Sequence, residues 1–248
     1  MIRFEHVRKV FDGDDPVVAV DGVDLEVAEG ETVCLIGTSG SGKTTVLKMV
    51  NRLLEPSAGR VLVGGRDVRD VDVIRLRRAM GYVIQRGGLF PHLDVARNVG
   101  LLCELEGWRR ERVERRVAEL LELVGLPPAE YARRRPRELS GGQQQRVGIA
   151  RALALDPGVV LMDEPFGALD PITRAQLHEE FLRLEEKVRK TVLLVTHDLA
   201  EAFELGDRIA LMDGGRLVQV GTAADFRERP ASSFVSDFVG RHLGSAHA

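Results

Sequence analysis

Val33-Cys34-Leu35-Ile36-Gly37-Thr38-Ser39-Gly40-Ser41-Gly42-Lys43-Thr44 is the stretch on which the fold turns. Its four leading apolar residues read as a buried strand, and Lys43 to Leu54 reads as a helix ended by Pro56. The spacing G-x-x-x-x-G-K-[ST] between strand and helix is that of a phosphate cradle. Small residues let backbone N–H groups turn toward phosphate oxygens, and the helix N-terminus adds partial positive charge. Lys43 is placed to reach the β- and γ-phosphates of a nucleotide, and Thr44 to offer its hydroxyl to Mg2+.

Working outward, period-two alternation at Val23, Leu25 and Val27 predicts a strand before the cradle. Val61–Val63 and Tyr82–Ile84 read as short strands after it. From residue 87 the pattern becomes helical. Val113, Val117, Leu120, Leu121 and Val124 line one face, with Glu–Arg pairs on the other. Val159–Met162 and Val192–Val195 are wholly apolar, as parallel strands covered on both faces require. Between them a helix is expected with Leu177, Phe181, Leu184 and Val188 inward. Ile209–Met212, the turn Asp213-Gly214-Gly215 and Leu217–Val220 read as a hairpin. Strands alternating with helices predict an α/β sheet.

Asp163 and Glu164 end the first of these strands, at the carboxyl edge where α/β sheets bind ligands. Asp163 suits Mg2+ through water, and Glu164 can polarise an attacking water.

The remaining composition excludes several classes. In 248 residues the net charge is −3, so there is no global basic footprint for nucleic acid. Hydrophobic residues make up 44% and charged ones 29%, ordinary globular usage that argues against wholesale disorder. Two cysteines, Cys34 and Cys103, are too few for a disulfide scaffold, and a packed place is expected for each. The longest apolar runs are four or five residues, against the roughly 20 that span a bilayer. The N-terminus lacks the apolar core of an export signal.

Leu139-Ser140-Gly141-Gly142-Gln143 resembles the LSGGQ signature of ABC-type ATPases. It lies after the cradle and before the acidic strand, which is the family's order. Gln85 resembles the Q-loop glutamine, Gly167-Ala168-Leu169-Asp170 the D-loop, and His197 the switch histidine. Phe11 sits where the family places an adenine-stacking aromatic. Local roles stand beside these: Ser140 fits a helix cap, and Asp170 before Pro171 an N-cap with proline at N1. His197 and Phe11 also fit packed side chains.

The resemblance implies a P-loop NTPase (RecA-like) core with an antiparallel β subdomain and an inserted α-helical signature subdomain. The ABC ATPase domain would run over 1–240, with core segments 1–86 and 152–221, a helical insert at 87–151 and a helical tail at 222–248. Nucleotide contacts would come from Phe11 and from Gly37, Thr38, Ser39, Gly40, Ser41, Gly42, Lys43, Thr44 and Thr45. Thr44, Gln85 and Asp163 would hold Mg2+. Glu164 would be the base, with His197, Lys43 and Gln85 completing the catalytic set. Ser140, Gly141, Gly142 and Gln143 would reach ATP across a head-to-tail dimer with a second copy, and Asp170 would couple the two sites.

Other expectations come from the same resemblance. Separate integral membrane permease subunits would be the direct partners, an external substrate-binding protein an indirect one, and nucleic acid none. The location would be cytoplasmic, peripheral on the inner face of the cell membrane. Leu89, Phe90 and Pro91 would suit permease docking, or packing of the insert.

Met49-Val50-Asn51-Arg52-Leu53-Leu54-Glu55-Pro56, Gly81-Tyr82-Val83-Ile84-Gln85 and the tail Phe234–Gly240 are similar to ATPases of quaternary-amine (glycine betaine, choline, carnitine) importers. Polar amino-acid importers share the Asn-Arg-Leu and Leu-Phe-Pro-His stretches and are the alternative. A non-transport soluble ABC ATPase is more remote. Many osmoprotectant ATPases continue into paired CBS modules, which are not in this sequence. His242 and His247 in the tail are expected to face solvent.

Overall fold

Two long strands precede the phosphate loop. β1 (Ile2–Phe11) and β2 (Val17–Val27) pair antiparallel, with Ile2 opposite Val27 and Phe11 opposite Val17. Ile2 and Phe4, then Val7 past a register shift, are buried together with Val23, Leu25 and Val27, which is the one-sided pattern of such sheets. The structure is a computed structural model that describes residues 1–84, 88–167 and 169–244, with the side chains of Leu184, Glu186 and Gly244 left aside. It divides into two compact units, Met1–Arg77 with Thr191–Ala248, and Arg78–Lys190.

In the first unit β3 (Thr32–Gly37) is buried at every position and leads through the loop into α1 (Lys43–Val50). The helix is shorter than the expected run to Leu54. Arg52 takes a left-handed φ of +52°, and Arg77 donates to the carbonyls of Asn51 and Arg52 at 3.1 and 2.7 Å. That guanidinium satisfies carbonyls which the ended helix leaves open, well before Pro56. β4 (Ala58–Val63) and β5 (Arg66–Asp67) then complete the antiparallel sheet in the order β2-β1-β4-β5, and α2 (Val73–Arg78) follows.

The second unit holds β6 (Met80–Val83), α3 (Val95–Leu105), α4 (Arg110–Leu123), the short α5 (Pro128–Tyr131) and α6 (Gly141–Ala152). β7 (Val159–Asp163) pairs parallel with β6, and α7 (Pro171–Val188) closes the unit. Val113, Val117, Leu120 and Leu121 are buried on α4, as their spacing predicts. Arg110 and Glu114 form an i,i+4 pair at 2.8 Å on its exposed side. Leu177 and Phe181 are buried on α7.

The chain returns to the first unit with β8 (Thr191–Val195), α8 (Leu199–Leu205), β9 (Arg208–Asp213), β10 (Arg216–Gly221), α9 (Ala223–Glu228) and α10 (Ser233–Gly244). β3 lies between β8 and β9, parallel to both, and β9 forms the expected hairpin with β10. The antiparallel sheet, the buried parallel strands and the helical stretch are those of a P-loop NTPase of the expected class. Cys34 and Cys103 are both buried and unbridged. No helix among the described residues is long and apolar enough to cross a membrane.

Candidate functional site

The phosphate loop is shaped by glycines that no other residue replaces without strain. Gly37, Gly40 and Gly42 have φ of +145°, +77° and +99°. A Cβ on Gly37 would lie 2.1 Å from the Met212 carbonyl oxygen, so the loop rests directly on the end of β9. At the centre Lys43 donates to the carbonyls of Gly37 and Thr38 at 2.9 and 2.7 Å and to Ser41 Oγ at 3.3 Å. Its ammonium is thus held inside the loop, only 7% exposed. Thr44 and Thr45, next on α1, are half-buried, and Thr38 and Ser39 at the loop tip are exposed. Thr38 donates its hydroxyl to Asp213 at 3.1 Å.

Two other sequence-marked residues share this unit. His197 follows β8 on a turn built from its neighbours. The Asp198 N–H donates to Thr196 Oγ1 at 3.0 Å, Thr196 donates to Glu201 at 3.1 Å, and Asp198 caps α8. The imidazole is exposed rather than packed away. Phe11 ends β1 and is 40% exposed, with the Lys9 ammonium 5.2 Å from its ring centroid.

The remaining site residues belong to the second unit. Asp163 ends β7, half-buried, and Glu164 follows with a left-handed φ of +46°. A non-glycine residue in that conformation stores local strain, a recurrent feature of functional turns. Burial, with the Asp163 carboxylate adding to it, pushes the Tyr82 phenol up to about 12.

Ser140 caps α6: its hydroxyl accepts the Gln143 N–H at 3.3 Å, and Gln143 Oε1 accepts the Ser140 N–H at 2.9 Å. The reciprocal capping box holds the signature turn open at the start of a helix. Gly142 lets α6 approach α7, since a Cβ there would sit 2.5 Å from Thr173 Cγ2. Gly141 has room, the nearest atom to a Cβ there being Leu169 Cδ2 at 3.6 Å.

Asp170 caps α7 by accepting the Thr173 N–H at 3.0 Å, with Pro171 at N1, as the sequence predicts. The Thr173 hydroxyl and N–H hold its carboxyl below the usual range. Gln85, Ala168 and His247 lie outside the described residues.

Two features escaped the sequence. Phe90 is pinned locally, its N–H donating to Asn98 Oδ1 at 2.7 Å and its carbonyl accepting from Asn98 Nδ2 at 3.1 Å. A cavity of about 670 Å³ lies in the helical region, with Trp108, Val113, Val117 and Pro128 among its walls. Exposed Arg97, Glu104, Arg110 and Glu114 also border it. Its apolar residues come from three helices and the loop at Trp108, so only helical periodicity on α4 hinted at it. The second feature is His242, which is exposed as expected but also borders a cavity beside the phosphate loop.

The ABC transporter family model matches residues 20–167. The glycine betaine/carnitine/choline transport ATP-binding protein OpuCA of Bacillus subtilis is 50% identical over 97% of this chain and 63% of its own length. This chain therefore spans less than two thirds of that relative. The glycine betaine uptake system ATP-binding protein YehX of Escherichia coli is 49% identical over 97% of this chain and 77% of its own length. Among solved structures, the dimeric bacterial ABC transporter cassette MJ0796 matches with a TM-score of 0.81 and 36% identity, over 90% of this chain and 98% of that one. A post-hydrolysis dimer of the same cassette, bound to ADP and Pi, matches with a TM-score of 0.79 and 33% identity, with the same coverage.

Proposed function

We propose that this chain, which belongs to the ABC transporter family, is the ATP-hydrolysing subunit of an importer for quaternary-amine osmoprotectants. Glycine betaine, choline and carnitine are the proposed solutes, and separate integral membrane subunits the path. The observation that carries the reading is the phosphate loop, with left-handed glycines around an ammonium that the loop itself holds. The names of the relatives support the solute class, and the dimeric cassettes support a working pair of subunits.

In this reading the loop amides and Lys43 bind the β- and γ-phosphates, and Phe11 stacks on the adenine. Glu164 takes a proton as the water oxygen bonds to the γ-phosphorus and the bond to the bridging oxygen of ADP breaks. His197 orients the γ-phosphate and that water. Ser140 to Gln143 of a second copy close the far side, and Asp170 links the two sites. The donors suit Mg2+: Thr44 offers a hydroxyl and Asp163 a carboxylate, hard oxygens for an ion that keeps several waters and takes phosphate oxygens. Gln85 would complete its shell. Bound there, the ion would neutralise phosphate charge. Closure on ATP and opening after hydrolysis make a ligand-driven two-state switch.

The groove at Trp108 is proposed as the permease contact, at the inner face of the membrane. Its apolar walls and charged neighbours fit a short amphipathic helix. An external binding protein would act only through the permease.

The test is labelled glycine betaine uptake, with and without osmotic stress, in cells lacking the chain and restored with wild type, Lys43→Ala or Glu164→Gln. Uptake recovered by wild type alone supports the reading. In vitro, Glu164→Gln should bind ATP, turn it over very slowly and accumulate as dimer. Uptake unchanged in the deletion, with ATP hydrolysis intact, would reject the solute class, and polar amino acids would be tested next.

A further inference from the structure

α10 carries groups that the roles above leave unused. In the same unit as the phosphate loop, a cavity of about 310 Å³ is walled by Gly37, Thr38 and Ser39, by His197, and by one face of α10. The helix is anchored by Val235, fully buried, and by Phe238, 7% exposed. Its last turns then bring Asp237, Arg241 and His242 to the cavity.

His242 is held in place by its own helix. Its ring stacks on Phe238 with centroids 4.2 Å apart, and its Nδ1 lies 2.8 Å from the Phe238 carbonyl oxygen. A carbonyl only accepts, so Nδ1 carries the proton and Nε2 is the nitrogen left for another partner. Basic residues in a last turn already complement the negative end of a helix. What goes further is that both border the same cavity as Ser39 and His197.

The chemistry of the walls selects the occupant. Lys43 is turned onto carbonyls of the loop, and Thr38 gives its hydroxyl to Asp213. Among the lining residues, α10 brings the Arg241 guanidinium to this cavity and, one turn earlier, the Asp237 carboxylate. The space is roughly that of ten waters at ~30 Å³ each, room for a phosphate ion with a partial water shell.

We propose that Arg241 and His242 make this cavity a holding site for orthophosphate cut from the nucleotide, so that the C-terminal helix takes part in product release. This rests on the ATPase reading and adds to it two phosphate-binding residues outside every motif of the family. Arg241 supplies a charge-assisted donor, and His242 supplies Nε2, which in this tautomer accepts from a P–OH of the phosphate.

The test uses the full chain. Steady-state ATP hydrolysis is measured against added orthophosphate for wild type, Arg241→Gln, His242→Gln, the double variant, Arg241→Lys and Asp237→Asn. The phosphate concentration for half-inhibition should rise about tenfold in the double variant. KM for ATP and half-inhibition by ADP should stay within about twofold. Arg241→Lys should recover part of the loss, and Asp237→Asn should tighten phosphate binding. Calorimetric titration of orthophosphate into ADP-loaded Glu164→Gln protein, with and without Arg241→Gln, gives the same comparison without turnover.

Unchanged half-inhibition in the double variant overturns the proposal while leaving the ATPase reading intact. Loss of ATP-driven association in that variant, at wild-type phosphate affinity, also overturns it and assigns α10 to the subunit interface. A wild-type chain that releases no phosphate from ATP removes both readings together.

Discussion

Gly42 stands so close to Ala19 that a Cβ on it would lie 2.3 Å from the Ala19 carbonyl oxygen, and its φ is +99°. The last glycine of the loop is therefore fitted to β2. Gly42→Ala should cost about 1–3 kcal/mol in strain. For a chain of this length that is a fall in Tm of roughly 2–12 °C. Nucleotide affinity should fall with it, because the loop or the strand must move. Thermal unfolding and titration with a fluorescent ATP analogue check this. An unchanged Tm would show that the contact yields at no cost.

Gly142 faces Thr173 in the same way, across α6 and α7. Its missing Cβ would sit 2.5 Å from Thr173 Cγ2. Gly142→Ala should destabilise by about 1–3 kcal/mol through overpacking. Thr173→Ser removes that methyl and keeps the hydroxyl that bonds Asp170. The double variant should recover most of the stability, and a double-mutant cycle in urea measures the coupling. ATPase activity that stays low in the recovered double variant would separate the role of the signature from packing.

Ser140 has two duties that a pair of substitutions can separate. Ser140→Ala breaks the capping box and should lose about 1 kcal/mol. Ser140→Asp keeps an acceptor at the cap and should stay within about 0.5 kcal/mol of wild type. It also puts a negative charge where the proposed partner phosphate would sit, so turnover should collapse. Wild-type turnover in Ser140→Asp would leave Ser140 as a cap alone.

Asp170 gives α7 a pH-dependent start. Its carboxyl is held low by the Thr173 hydroxyl and by backbone N–H groups. A depressed folded-state value favours the ionised form, so its contribution is present above about pH 4 and lost as pH falls through the folded value. In urea unfolding, Asp170→Asn should be less stable than wild type at pH 6, with the gap narrowing as pH falls below about 4. A constant gap across that range would mean that the cap is indifferent to charge.

The strands and motif turns were legible because each is written in neighbouring residues. Val33–Ile36, Val159–Met162 and Val192–Val195 are continuous apolar runs, and Ser140 and Asp170 are local caps. The end of α1 was not legible, because Arg77, 25 residues beyond Arg52, supplies the donors that close it. The groove at Trp108 joins side chains of α3, α4 and α5, which no single period reveals. Likewise no local pattern sets Arg241 and His242 beside Ser39; the packing of α10 does.

The burial of Cys34 and Cys103 has a practical side. Both thiols are fully buried, and burial pushes that of Cys103 up. The thiolate is the reactive species, so neither should label in the folded protein. A single cysteine introduced at an exposed position such as Ile172 or Phe90 would then be the sole site for a spin label or fluorophore. Opening and closing of a pair of subunits becomes measurable by distance spectroscopy on an otherwise native chain, with no background substitution to distort the cycle being observed.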